Sequence, residues 1–160
     1  MLRFLTLLLL LSPLAARAYD AFGETNPPAP AGRVVKVLPL FLDLKGHDAI
    51  SPSLFERDAY QALLRRETNA VSGVRFDVWW GAQRAGTEPL QLRAELRGIA
   101  TNGLPRLTVL ETNVVPGRFR RWTSLTLNGQ RWKDFGSLIA WRVTLWNGDR
   151  MLGEQKSFLW

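Results

Sequence analysis

The chain reads as an all-β protein: an antiparallel sandwich of about seven strands with one inserted amphipathic helix. Three observations predict this. The last stretch, Ser137 to Trp160, carries two runs rich in β-branched and aromatic residues on either side of Asn147-Gly148, the strongest short-range hairpin signal. From Gly73 onward, apolar and polar residues alternate in one short segment after another. Only one stretch switches to helical spacing, whereas a parallel sheet needs a helix in nearly every connection.

The first residues are read as an address. Met1-Leu2-Arg3 gives a basic start, Phe4 to Leu11 is almost wholly apolar, and Ala16-Arg17-Ala18 fits a small-x-small cleavage site. A signal peptide over 1–18 is expected, with export to the periplasm or the exterior. The apolar run falls short of the roughly 20 residues a membrane span requires, so no transmembrane segment should remain after cleavage. Residues 19–32, with Asn26-Pro27-Pro28-Ala29-Pro30, read as a flexible Pro-rich leader. The folded domain is then 33–160.

Each element of that domain has its own signal. Arg33 to Leu44 is strand-like but contains Pro39, which cannot donate to a ladder, so it belongs at an edge or at a bulge. Ser53 and Glu56 have capping-box spacing, and Phe55, Ala59, Ala62 and Leu63 recur at helical intervals, with Glu56, Arg57, Gln61 and Arg65 on the other side. A helix over about 53–66 follows. Val74, Phe76, Val78 and Trp80 share one parity, as do Leu90, Leu92, Ala94 and Leu96. A weaker strand begins at Leu107 and Val109. Pro116-Gly117 turns the chain into a strand with Thr123, Leu125 and Leu127 inward and Arg120, Trp122, Ser124 and Thr126 outward. Asn128-Gly129 could be a tight turn, and Gln130 to Gly136 suits one helical turn. In the final hairpin Ile139, Trp141, Val143, Leu145 and Leu152 should face inward, with Gly153 available as a bulge.

The segment Leu125 to Val143 (LTLNGQRWKDFGSLIAWRV) resembles, in spacing and pattern, the E strand, corner and F strand of immunoglobulin-like domains. It departs from them in having no cysteines and in carrying Trp141 on the F-like strand. Over 33–160 the chain is also similar to exported bacterial proteins without an assigned activity, notably in the ending Ser157 to Trp160. These resemblances imply an immunoglobulin-like sandwich and no chemistry, since such a fold hosts many functions.

Composition narrows the chemistry further. The 160 residues include no cysteine and a single histidine, His47, which excludes disulfides and thiol catalysis and leaves no basis for a metal site. The net charge of +7 falls to +5 once Arg3 and Arg17 are removed. Its arginines are spread along the chain, unlike a nucleic-acid footprint. No nucleophile elbow, phosphate loop or calcium loop occurs, and the carboxylates are scattered singly. No catalytic residue, metal or cofactor is therefore expected, and the protein is read as non-catalytic.

Seven tryptophans are the unusual feature. Trp79, Trp122 and Trp146 fall on outward parity, with Arg120 and Arg142 on the same faces as Trp122 and Trp146. Flat apolar area beside a planar donor suits a glycan or protein partner. The competing expectation is that the helix, the leader or a loop covers those rings. An exported binding module is the leading reading. A hydrolytic or carbohydrate-active accessory enzyme and a cell-envelope assembly subunit using a free strand edge are the alternatives.

Overall fold

The computed structural model describes residues 31–83 and 89–160. The expected signal peptide and all but the last two residues of the leader lie outside them. The seven strands are β1 (Gly32–Asp43), β2 (Val71–Ala82), β3 (Leu90–Ile99), β4 (Pro105–Val114), β5 (Arg121–Asn128), β6 (Ser137–Asn147) and β7 (Arg150–Lys156). Helix α1 (Leu54–Arg66) joins β1 to β2, and α2 (Gly129–Phe135) joins β5 to β6. They form two antiparallel sheets, one ordered β1-β2-β5 and the other β4-β3-β6-β7. No described helix is long and apolar enough to cross a membrane.

Alternation decides which side chains lie between the sheets. Val74, Phe76, Val78 and Trp80 of β2 meet Leu92, Ala94 and Leu96 of β3 and Val143 and Leu145 of β6 in one core. Phe76 takes the edge of Trp141 across the gap, with centroids 6.1 Å apart and planes at 63°. One end of the gap is plugged by α2. Its Trp132 meets Phe41 edge-on at 6.2 Å, and Phe135 lies where a side chain on Gly98 would otherwise stand.

Edge strand β1 is closed along most of its free side. The Gln61 side chain accepts from the Phe41 N–H at 2.8 Å and donates to the Phe41 carbonyl at 2.9 Å, imitating a neighbouring strand. Gln155 donates to the carbonyl of Val35, Pro39 has no N–H to leave bare, and the Asp43 N–H donates to the carbonyl of His47. This arrangement corrects the helix face. Gln61, expected in solvent, is 2% exposed, while Phe55 is 83% exposed and Leu63, Ala59 and Ala62 are exposed too. The buried stripe is Gln61 and Leu64, flanked by half-buried Arg57 and Tyr60. The unmet polar groups of β1 orient the helix more strongly than its apolar count does. Gln61→Leu leaves both Phe41 groups without partners, and its urea-unfolding free energy should fall by about 2–3 kcal/mol.

The same corner holds a pH-sensitive carboxylate. Asp43 accepts from the backbone N–H of His47 and of Lys45, each at 2.8 Å, and from the Tyr60 hydroxyl at 2.9 Å. The His47 N–H foremost, with the Tyr60 hydroxyl and the Lys45 N–H, holds its pKa below the ordinary aspartate value against the opposing effect of burial. A lowered folded pKa contributes stability above the unfolded value of about 4 and loses it as pH falls through the folded one. Urea midpoints measured between neutral pH and strong acid should therefore drop less steeply in Asp43→Asn than in the parent.

Three expectations at the C-terminal hairpin change. Ile139 is 45% exposed rather than inward, because Arg97 pairs with Ala140 while Gly98 pairs with Leu138, leaving Ile139 as the extra residue of a bulge. Beyond it Val143 and Leu145 are fully buried and Trp141 is half-buried. Asn147 pairs with Arg150, so the loop is Gly148-Asp149, with Gly148 at φ 54° in the first central position. Leu152, not Gly153, is skipped in the pairing of β6 with β7. Gly153 instead lets β7 approach β1, where a Cβ would come within 2.9 Å of the Arg33 Cα. Asn128-Gly129 starts α2 rather than a hairpin, with Gly129 at φ 59°.

Candidate functional site

The outer face of the three-stranded sheet divides into two halves. Toward α2 it is polar and internally satisfied. Arg75 bonds Asp77 through Nε at 2.9 Å, pairs with Asp48 of the β1–α1 connection at 3.1 Å, and Ser124 donates to Asp77 at 2.6 Å. Toward the other end it becomes aromatic. Trp79 and Trp122 stand directly opposite one another on β2 and β5, where cross-strand side chains are closest. Their centroids are 6.0 Å apart and their planes 13° apart, an offset stack. The Arg120 guanidinium carbon lies 5.3 Å from the Trp79 centroid. Trp122 remains 52% exposed. Helix α1 packs at the Phe41 end of β1 and leaves Trp122 in solvent, contrary to the expectation of a covering helix.

A cleft of about 360 Å³ adjoins the pair. Its floor is Gly81, two residues beyond Trp79 on the same face, and therefore a place in the row with no side chain. Arg33 of β1 stands opposite Gly81 and forms one wall. Arg120 forms the other, lying so close that a Cβ on Gly81 would come within 2.9 Å of its Cγ. Arg118 and the exposed Phe119, from the β4–β5 connection, complete the rim. A side chain on Gly117 would collide with the Arg121 guanidinium, at 2.7 Å, so this glycine lets the connection lie against Arg121.

Trp146 and Arg142 stand elsewhere, on the outer face of the four-stranded sheet. Trp146 is half-buried and donates its indole N–H to Thr144 at 2.8 Å. Arg142 belongs to a ladder that crosses all four strands. It pairs with Glu154 at 2.9 Å and Glu95 at 3.7 Å, while Arg93 pairs with Glu95 at 3.3 Å and Glu111 at 3.5 Å. The five sequence-predicted contact residues thus split between opposite faces: Trp79, Trp122 and Arg120 come together, and Trp146 and Arg142 do not join them. Reading outward tryptophans missed Arg33, Gly81, Arg118 and Phe119. The signal for Gly81 was present in Trp79-Trp80-Gly81, an outward ring followed at the next outward position by nothing.

Among the described residues that line it, the cleft holds no acid, base or nucleophile pair. Its polar side chains are guanidinium groups and Gln83, so it can donate hydrogen bonds and attract anions but offers no proton relay. His47 lies at the α1 corner, exposed, with Nδ1 3.8 Å from Asp43. Among the described residues no three His, Asp or Glu side chains group as metal ligands. Comparison with protein-family profiles, curated proteins and solved structures gives no match for this chain.

Proposed function

We propose that this chain is an exported, non-catalytic binding module that meets its ligand with the Trp79–Trp122 stack and Arg120. One observation carries the reading: two indoles paired in register on an outer sheet face, one of them half in water, at the end that α1 leaves open. Stacked rings beside a guanidinium are a platform for a flat sugar face. The strand order supports an immunoglobulin-like sandwich. β1-β2-β5 facing β4-β3-β6-β7 corresponds to the A-B-E and C′-C-F-G sheets of that architecture, with α2 at the E–F corner. Export is the reading of the first eighteen residues. Trp146 and Arg142 are left out of the surface because their polar atoms are already engaged.

Titration with soluble polysaccharides should shift the intrinsic tryptophan emission of the parent. In Trp122→Ala, affinity should drop at least about tenfold, with melting temperature nearly unchanged because the ring is largely outside the core. A panel of glycans that leaves the emission of the parent untouched would remove this reading.

A further inference from the structure

We infer that the cleft over Gly81 binds an acidic group, a carboxylate or a sulfate, on a glycan whose adjoining sugar lies against Trp79 and Trp122. The inference rests on the binding-module reading and names its ligand class. Three arginines line one small space, Arg33 from β1, Arg118 and Arg120 from the β4–β5 connection, and among the described residues no carboxylate lines it. Among the described residues none of them, nor neighbouring Arg121, has an ion-pair partner. By contrast Arg75, Arg93 and Arg142, on the outer faces of the same two sheets, each have two. The contrast matters because like charges crowded together repel, and Arg75, Arg93 and Arg142 show how the outer faces neutralise a cation where no anion from outside is to be met. Lys36, opposite Trp79, adds a further cation to the same face.

The geometry suits an anion on a ring-shaped carrier. Gly81 exposes backbone as a floor, and Arg33 and Arg120 approach from the two flanking sides, so one acidic group can be reached by two planar donors. The rings lie along the same row of the sheet, two residues away from that floor. A sugar on Trp122 and Trp79 therefore directs the next unit of its chain to the cleft. The volume of about 360 Å³ is near the lower limit of small-ligand pockets, enough for the acidic end of one or two sugar units and too short to track a polynucleotide backbone.

The test uses the purified full chain and three oligosaccharides of matched length: an oligogalacturonate for carboxylate, a heparin fragment for sulfate, and a neutral dextran fragment. Affinities are read calorimetrically at low and high salt. At least one acidic oligosaccharide should bind about tenfold or more tightly than dextran, with an advantage that shrinks at high salt. The arm that does so identifies the acidic group. The double variant Arg33→Gln/Arg118→Gln should lose that advantage and bind acidic and neutral chains alike. Gly81→Ser, which fills the floor and pushes the Arg120 side chain aside, should do the same without removing any charge. Equal affinity for acidic and neutral chains in the parent overturns the inference while leaving the binding module standing. Tighter binding to a single-stranded oligonucleotide than to any glycan overturns it in favour of another polyanion. If no oligosaccharide binds, both readings fall.

Discussion

Gly136→Ala is expected to lower the unfolding free energy by about 3 kcal/mol or more, enough to keep much of the protein from accumulating in folded form. Two effects add. Gly136 follows α2 with φ 81° and ψ −135°, a region essentially reserved for glycine, where a residue with a Cβ carries roughly 1–3 kcal/mol of strain. The added methyl would also collide with the carbonyl oxygen of Ile99 and stand 2.8 Å from the Ala100 Cα. Both neighbours are backbone, and Ile99 is paired to Ser137, so neither can withdraw without opening the end of the β3–β6 ladder. Gly46→Ala provides the comparison. Gly46 also has positive φ, at 84°, but nothing lies within 4 Å of the methyl it would gain, so the loss should be near 1 kcal/mol, about the usual cost of that backbone region alone. Equal urea midpoints for the two variants would mean that α2 does not dock against β3 as described.

Trp80→Ala should cost about 3–5 kcal/mol and lower the melting temperature by roughly 10–20 °C. Trp80 is 2% exposed and the largest fully buried side chain. Its indole N–H donates to the Thr123 hydroxyl at 2.9 Å, a bond between two inward residues of adjacent strands. Truncation opens a large cavity between the sheets and strands that hydroxyl. Trp80→Phe keeps most of the volume and loses chiefly the bond, so its cost should be nearer 1–2 kcal/mol. A thermal scan showing similar losses for both would place the ring outside the core. Its neighbour Trp79 differs only in parity, and the contrast with Trp122→Ala is between a ring that holds the sheets together and one that is spent on the surface.

The strands were legible because burial here is one-sided. Val74 to Trp80 and Leu90 to Leu96 alternate without interruption, and a period of two admits only one choice of inward face. What was illegible depended on groups that hydropathy does not weigh. Gln61 reads as a solvent residue until the free N–H and carbonyl of Phe41 are in view. The Ile139 bulge and the one-residue slide of the hairpin leave composition unchanged and depend on the partner strand. The candidate site was half legible: Trp79, Trp122 and Arg120 follow from parity, but Arg33 and Arg118 are brought to them only by the pairing of β1 with β2 and the path of the β4–β5 connection. Gly81 contributes by what it lacks, which no hydropathy scale scores.

The ladder from Glu111 to Glu154 has a consequence for how the molecule approaches anything charged. With Arg93 and Arg142 paired to carboxylates along one broad side and Arg33, Lys36, Arg118 and Arg120 without ion-pair partners among the described residues at the other, the protein has electrical polarity across its thickness. Near a negatively charged matrix it would be turned before touching, rings leading and ladder trailing, so that random encounters become oriented ones.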